Sequence, residues 1–263
     1  MTQNSLTSPT DAISLYEAYK RKGTISNCFL LPDGLANLAE QGQLSYCKDE
    51  ENLYLFVQQP KCLRLYYFIN NLTKVPLLEV SQPLATELLF RGAVPDGEEN
   101  FLLRVGFKRN VVRDQYLMKF TEDIQWPSDV TIAEDLEEVK AAANLFNGAF
   151  DPYSGDYIPE TDYSRLLEDK SILVVKDGDK VVGAIHCEEA SKQFWIRHVC
   201  VAPDQQGKGF GNKLVSAYLA CGHGKGLQRF ALWVQRQNTP AVKLYEKYGF
   251  KFTNKSSLSL IRQ

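Results

Sequence analysis

Hydrophobic and polar positions alternate in blocks along this chain, and the period of the alternation changes from block to block. In DAISLYEAYKRKG, Ile13, Leu15, Tyr16 and Tyr19 fall on one side of a helix that Gly23 closes. The runs NLYLFVQ (52–58) and CLRLYYFIN (62–70), separated by a short Pro-containing turn, predict an antiparallel hairpin, and PLLEV (76–80) predicts a further strand. The stretch 97–120 predicts a helix capped by Gly106 and a closing pair of strands. DIQWPSD (123–129), polar around one Trp and one Pro, marks a boundary, giving domains 1–126 and 127–263.

The second half opens with a short strand, VTIA (130–133), after which Asp135 caps the helix LEEVKAAANLFNGAF. A second helix fits ETDYSRLLED (160–169), beyond the loop DPYSGDYIP. Asp177-Gly178 then turns one strand into the next, and QFWIRHVCVA (193–202) is a third strand. Strict alternation there puts Trp195, Arg197 and Val199 on one face and Ile196, His198 and Cys200 on the other. The glycine run QGKGFG follows and leads into a helix from Asn212, which ends at a loop, GHGKG. RFALWV (229–234) is apolar throughout, as a buried and parallel strand would be. In TPAVKLYEKYG, Thr239 is a natural N-cap, Pro240 the first helical residue and Gly249 the stop, and FKFTNKSSLSLI is the last strand. The order β, α, α, β, β, β, glycine loop, α, β, α, β specifies an α/β protein with a mixed sheet and helices on its faces.

Length agrees with the division: 263 residues exceed one ordinary domain and accommodate two of roughly 100 to 150. Thirty basic and 32 acidic residues leave a net charge of −2, so no global field draws nucleic acid or an anionic membrane, and any phosphate site must be local. The six cysteines stand singly, with no CxxC pair, which predicts reduced thiols and neither a disulfide framework nor a metal site. The N-terminal MTQNSLTSPTDAIS has no basic start and no apolar run, and no stretch reaches the roughly 18 apolar residues of a membrane span. These features predict a cytoplasmic monomer or homodimer.

Strand, glycine-rich loop, helix is an arrangement that binds phosphate through backbone N–H groups and a helix N-terminus. A Walker loop is excluded because Lys208 is followed by Gly209 and not by Ser or Thr. A dinucleotide fingerprint fits poorly, since GKGFG comes late and after antiparallel strands. The pyrophosphate arm of coenzyme A remains. VCVAPDQQGKGFGNKLV resembles the acyl-CoA-binding segment of the GNAT acetyltransferase superfamily, Q/R-x-x-G-x-G/A, with Gln206, Gly209 and Gly211 in its fixed places. WVQRQNTPAVKLYEKYGFK resembles the family's next segment through Asn238, Tyr245, Gly249 and Phe250, and the likeness covers about residues 129–263.

The resemblance implies a mostly antiparallel sheet in which IRHVCV splays from ALWV and offers backbone groups of Val199 and Val201 to pantetheine. The amides of 207–211, Gly207, Lys208, Gly209 and Gly211 among them, would hold the pyrophosphate with Gln206 fixing the entry, the Lys208 side chain would more often lie in solvent than on phosphate, and Asn238 would bind the coenzyme. Acetyl-CoA would be the cosubstrate, and the acceptor a small-molecule or peptide amine attacking directly in a ternary complex. Tyr245 would protonate the departing thiolate, or else is a core aromatic. The base is open: no carboxylate stands near Trp195, where the family often has one, and Glu188, Glu189, His186 and His198 are the candidates, Glu188 and His198 foremost. Asp151, Tyr153, Asp156 and Tyr157 lie where the family meets its acceptor. A non-catalytic acyl-CoA-binding module and a transferase using a longer acyl donor are the alternatives. The first half resembles a degenerate second GNAT-like unit, because FLLRVGFKRNVVRDQYLMKF repeats the helix, Gly-Phe-Lys, strand ending of KLYEKYGFKFTNKSSLSLIR, while Q-x-x-G-x-G is missing between Pro76 and Phe101. Chance likeness of one helix end is the competing explanation.

Overall fold

The computed structural model describes every residue except Thr121, Asp123 and Gly155, and in it the chain falls into two units, Met1–Val112 with Ser256–Gln263 and Arg113–Lys255. The change from one unit to the other lies inside a strand, not in the Trp-Pro segment, and the end of the last strand returns to the first unit.

The first unit contains β1 (Asn4–Ser5), α1 (Pro9–Tyr19), β2 (Ile25–Ser26), α2 (Pro32–Glu40), β3 (Leu44–Lys48), β4 (Leu53–Gln58), β5 (Leu63–Ile69), β6 (Leu84–Phe90), α3 (Asp96–Arg104) and the start of β7 (Lys108–Lys119). Ser8 caps α1 by accepting from the Asp11 N–H at 3.2 Å, and Pro9 sits in its first turn, where a missing N–H costs nothing. α1 stops at Tyr19, so Gly23, at φ +89°, shapes the turn beyond the helix instead of closing it. β4 and β5 form the expected hairpin, in register from Leu53↔Phe68 to Gln58↔Leu63. Their apolar runs are nearly unbroken because both faces are covered: Tyr54, Phe56, Leu65 and Tyr67 pack with α3, while Leu55, Val57 and Phe68 pack with α1 and α2.

Residues 76–80 are not a strand; they contribute only an isolated bridge, Thr2↔Glu79. The strand is β6, whose central Thr and Glu disguise it, and the closing pair expected after α3 is the single strand β7. Gly106 (φ +100°) and Gly249 (φ +94°) both close a helix in the left-handed region that favours glycine.

The second unit has the predicted element order: β8 (Val130–Ile132), α4 (Leu136–Ala149), α5 (Tyr163–Glu168), β9 (Ile172–Asp177), β10 (Lys180–Ala190), β11 (Gln193–Val201), α6 (Phe210–Gly224), β12 (Arg229–Gln235), α7 (Thr239–Lys247) and the start of β13 (Lys251–Arg262). Its strands run β7-β12-β11-β10-β9-β8, antiparallel except for the parallel pair β11–β12. One face packs on α6 and α7 through Leu214, Tyr218, Phe230 and Tyr245, the other on α4 and α5 through Val139, Phe146, Leu166 and Val174. Asp135 caps α4, as expected, accepting from the Glu138 N–H at 2.9 Å. α6 begins at Phe210, two residues before Asn212, and runs on through the expected loop to Gly224. The cap of α7 is Asn238, whose Oδ1 accepts from the Ala241 N–H at 3.2 Å, and Thr239 is already helical. All six cysteines are free, and no helix of the described residues is long and apolar enough to cross a membrane.

Candidate functional site

β11 and β12 pair only at Phe194↔Phe230, Trp195↔Ala231 and Ile196↔Leu232. Beyond that point β11 stays with β10 and β12 stays with β7, so a gap opens between them. Its cause is a β-bulge: His186 faces His198 and Cys187 faces Ile196, which leaves Arg197 as the extra residue. The bulge also breaks the strict alternation read from the sequence. Ile196 faces α6, whereas His198 and Cys200, past the extra residue, pack on the α4 side, and Val199 and Val201 take over the α6 face.

The ladder fixes where the backbone of β11 points. The Ala202 N–H donates to the Val182 carbonyl at 2.8 Å, and hydrogen-bonded pairs alternate with non-bonded ones. Val199, opposite Ile185, and Val201, opposite Gly183, are therefore the non-bonded kind, and their N–H and C=O groups turn away from β10 into the gap. Gln206 Nε2 reaches back to the Val201 carbonyl at 3.2 Å and braces this end of the strand.

The glycines that follow serve two ends. Gly207 (φ +78°) and Gly209 (φ +87°) need the left-handed region, yet a Cβ at either would meet nothing within 4 Å, so they shape the backbone and leave open space above it. Gly211 is helical, and its Cβ would lie 3.4 Å from Leu244, so there the small residue lets α6 approach α7. Gly209 heads α6 with no side-chain cap, which leaves first-turn N–H groups and the positive helix end directed into that space. Lys208 Nζ is exposed and donates to Gln205 Oε1 at 2.7 Å. Backbone donors, open space and an uncapped helix end fit a pyrophosphate.

Tyr245 lies in the α6/α7 cluster, 3% exposed, with its ring edge-on to Phe250 at 5.8 Å. Burial pushes its phenol well above the ordinary tyrosine range. Its neighbour Tyr248 is tied down by Ser216 Oγ at 2.7 Å and the Asn212 carbonyl at 2.8 Å, whereas the Tyr245 hydroxyl has no hydrogen-bond partner among the described residues.

His198 sits on the opposite face. Its Nε2 lies 2.9 Å from the Asp156 carbonyl and must carry the hydrogen, so Nδ1 is an acceptor, and His186 Nδ1 donates to it across 3.2 Å. The imidazoles stack at 8°, and Phe146 lies on His198 at 5.1 Å. Burial lowers His198 to about 4 and His186 to about 3, so both rings are neutral at pH 7 and are weak bases. The pair pins the α4–α5 loop onto the sheet. Glu188 accepts from Arg197, the bulge residue next to Ile196, so this ion pair stands where β11 leaves β12, and the Arg197 guanidinium lies 6.0 Å over Trp195. Glu189 is exposed. Asp151 accepts from the Tyr153 N–H at 3.1 Å and from Ser154 Oγ, which folds the loop that also carries half-buried Tyr157.

Val199, Val201, Gln206, Gly207, Lys208, Gly209 and Gly211 thus gather at one end of β11, with Glu188 at the mouth of the gap and Tyr245 and His198 in clusters on opposite faces. Asn238 spends its oxygen on the α7 cap. Sequence reading misses two ion pairs on this unit: Arg113 with Asp156, and Arg236, which grips Asp114 through two bonds of 2.9 and 2.7 Å. Their partners lie 43 and 122 positions apart, beyond any local pattern.

Residues 139–250 match the model of the acetyltransferase (GNAT) family. A mycothiol acetyltransferase of Corynebacterium glutamicum (strain R) is 31% identical over 111 residues, which are 40% of this chain and 38% of that protein, so the match spans well under half of the relative. Among solved structures, a GCN5-related N-acetyltransferase from Sphaerobacter thermophilus shares the fold with a TM-score of 0.60 at 15% identity, over 99% of this chain and 95% of that one. A tandem GNAT protein from the clavulanic acid biosynthesis pathway gives 0.58 at 10% identity, over 99% and 97%. The likeness of fold thus extends to both units, and the segment that matches the acetyltransferase (GNAT) family carries the bulged strand, the glycine loop and the tyrosine-bearing helix.

Proposed function

We propose that the second unit is an N-acyltransferase that takes acetyl-CoA as donor and a primary amine of a small molecule or peptide as acceptor, by direct attack in a ternary complex. The observation that carries this reading is the gap between β11 and β12, into which Val199 and Val201 turn their backbone groups, beside the uncapped start of α6. When bound, the coenzyme supplies an acyl group activated as a thioester. Val199 and Val201 offer N–H and C=O groups to the pantetheine amides. The amides of Gly207, Lys208, Gly209 and Gly211 offer donors to the pyrophosphate, and Gln206 holds the end of β11 in place for them. Asn238 keeps its Nδ2 for the coenzyme while its oxygen caps α7.

Tyr245 is the proton donor. Burial keeps its phenol protonated throughout the working pH range, and a positioned acid of this kind is worth about 10²–10⁴-fold in rate. Glu188, at the mouth of the gap, is the proton acceptor for the amine, and His198 acts by holding the loop that bears Asp151 and Asp156. Asp156 is already paired with Arg113 and Asp151 with the loop's own Tyr153 and Ser154, so the choice of acceptor rests on the relatives named mycothiol acetyltransferase, which put small-molecule acceptors first among those to assay. One observation favours coenzyme binding without catalysis: Glu188 is already held by Arg197, and the two buried histidines are neutral.

Thermal unfolding with CoA and with acetyl-CoA tests the shared claim. At a hundred times the dissociation constant the gain is about 2.7 kcal/mol, a rise of several degrees, and a midpoint moved by neither ligand overturns the proposal. Thiol release across a panel of amines then separates the enzyme from the binder.

A further inference from the structure

The first unit has its own pair of parting strands. β5 and β6 run parallel only at Leu63↔Leu84 and Arg64↔Ala85; thereafter β5 keeps to β4 and β6 keeps to the end of β13. The Gln59 N–H donates to the Cys62 carbonyl at 3.0 Å, and the Leu63 N–H turns the other way, to the Pro83 carbonyl at 2.9 Å. That phase directs the backbone groups of Leu65 and Tyr67 into the space between β5 and β6, as Val199 and Val201 are directed between β11 and β12.

Here the space is filled. The Asn27 carboxamide lies across it: Nδ2 donates to the Leu65 carbonyl at 3.2 Å on one strand, and to Thr86 Oγ1 at 2.9 Å and the Glu87 carbonyl at 3.2 Å on the other. Its Oδ1 accepts from the Tyr67 N–H at 2.9 Å. Thr86 Oγ1 donates to the same Leu65 carbonyl at 2.9 Å, and farther along Ile25 and Ser26 pair with Ile69 and Phe68, closing the remaining edge of β5. A second feature points the same way: the chain between β5 and β6 forms no helix, so nothing there corresponds to α6 and its free N–H groups. We infer that the first unit carries a second slot of coenzyme-binding design which its own Asn27 carboxamide occupies in place of a ligand amide, so that the chain takes up one coenzyme, in the second unit. The inference rests on reading the β11–β12 gap as the coenzyme slot.

Two measurements on the full chain test it. Isothermal titration with CoA should give one equivalent per chain, and two equivalents overturn the inference. Amide hydrogen exchange should show the Tyr67 N–H protected without ligand, unchanged at saturating CoA, and exchanging about tenfold faster in Asn27→Ala, the scale of one lost hydrogen bond. A Tyr67 amide indifferent to Asn27→Ala, or newly protected by CoA, overturns it as well. If no CoA binds, the function proposed for the second unit fails, while the Tyr67 exchange still decides whether Asn27 fills the slot. The stoichiometry and the Tyr67 exchange of the unaltered chain stand even if Asn27→Ala does not fold, and Thr86→Val, which removes one of the three Asn27 acceptors, then gives the smaller rise in Tyr67 exchange.

Discussion

β5 and β6 in the first unit part after two parallel residue pairs, and β11 and β12 in the second part after three, yet the two gaps have opposite contents. Between β5 and β6 a side chain of the same unit satisfies backbone groups of both strands. Between β11 and β12 the groups of Val199 and Val201 turn away from β10, Gln206 braces one carbonyl, and a glycine loop with open space above it leads to an uncapped helix. Both units thus part a parallel strand pair, whereas the proposed coenzyme binding turns on a few residues at the gap: what is withheld from it, and whether donors stand at its far end. Buried backbone groups need partners, so a slot kept for no ligand must be filled from within.

The largest effect is expected at Tyr245. Tyr245→Phe should lower the turnover of a true substrate about 10²–10⁴-fold. Because the hydroxyl has no partner among the described residues, the midpoint of unfolding should hardly move, and activity close to that of the unaltered chain removes the acid role. Gly209→Val forces a β-branched residue to φ +87°, a strain of about 1–3 kcal/mol, so CoA affinity should fall about ten- to a hundredfold by titration.

Asn27→Ala should do the reverse, costing about 2 kcal/mol in denaturant unfolding through the groups it leaves unpaired while CoA affinity stays within about twofold. Acid distinguishes the units too, since all three histidines lie between residues 113 and 255. His186 and His198 stay neutral in the fold, whereas the unfolded chain binds protons on both below 6.5. Their contribution is therefore full above pH 6.5 and is lost as the pH falls toward about 4 for His198 and about 3 for His186. Unfolding followed over that range should flatten in His186→Phe relative to the unaltered chain. Lys208→Ala, at an exposed side chain bonded to Gln205, should change stability by less than about 0.5 kcal/mol and weaken CoA least.

The two gaps also differ in how far the sequence reveals them. QGKGFG and NTPAVKLYEKYGF are contiguous, and each glycine, cap and stop acts on residues a few positions away, so loop, helix and tyrosine can be read in one pass. The same holds for the hairpins at Asp177-Gly178 and between β4 and β5. Arg197 is different: nothing in IRHVCV marks the extra residue, because a bulge is a property of two strands, and strict alternation therefore joined Ile196 to His198. Asn27 is more hidden still, bonded to Thr86 59 positions away and to Tyr67 40 positions away, in a stretch whose own pattern predicts no element. β6 escaped because Thr86, buried against Asn27 and the Leu65 carbonyl, and the half-buried Glu87 interrupt its apolar run.

Amide hydrogen exchange at Val199 and Val201, with and without saturating CoA, tests the proposed coenzyme slot most directly. Both N–H groups, which face the β11–β12 gap, should become protected together with the amides of Gly207–Gly211, while Tyr67 in the first unit is unaffected. Val199 and Val201 amides that exchange at the same rate with and without bound CoA would contradict it.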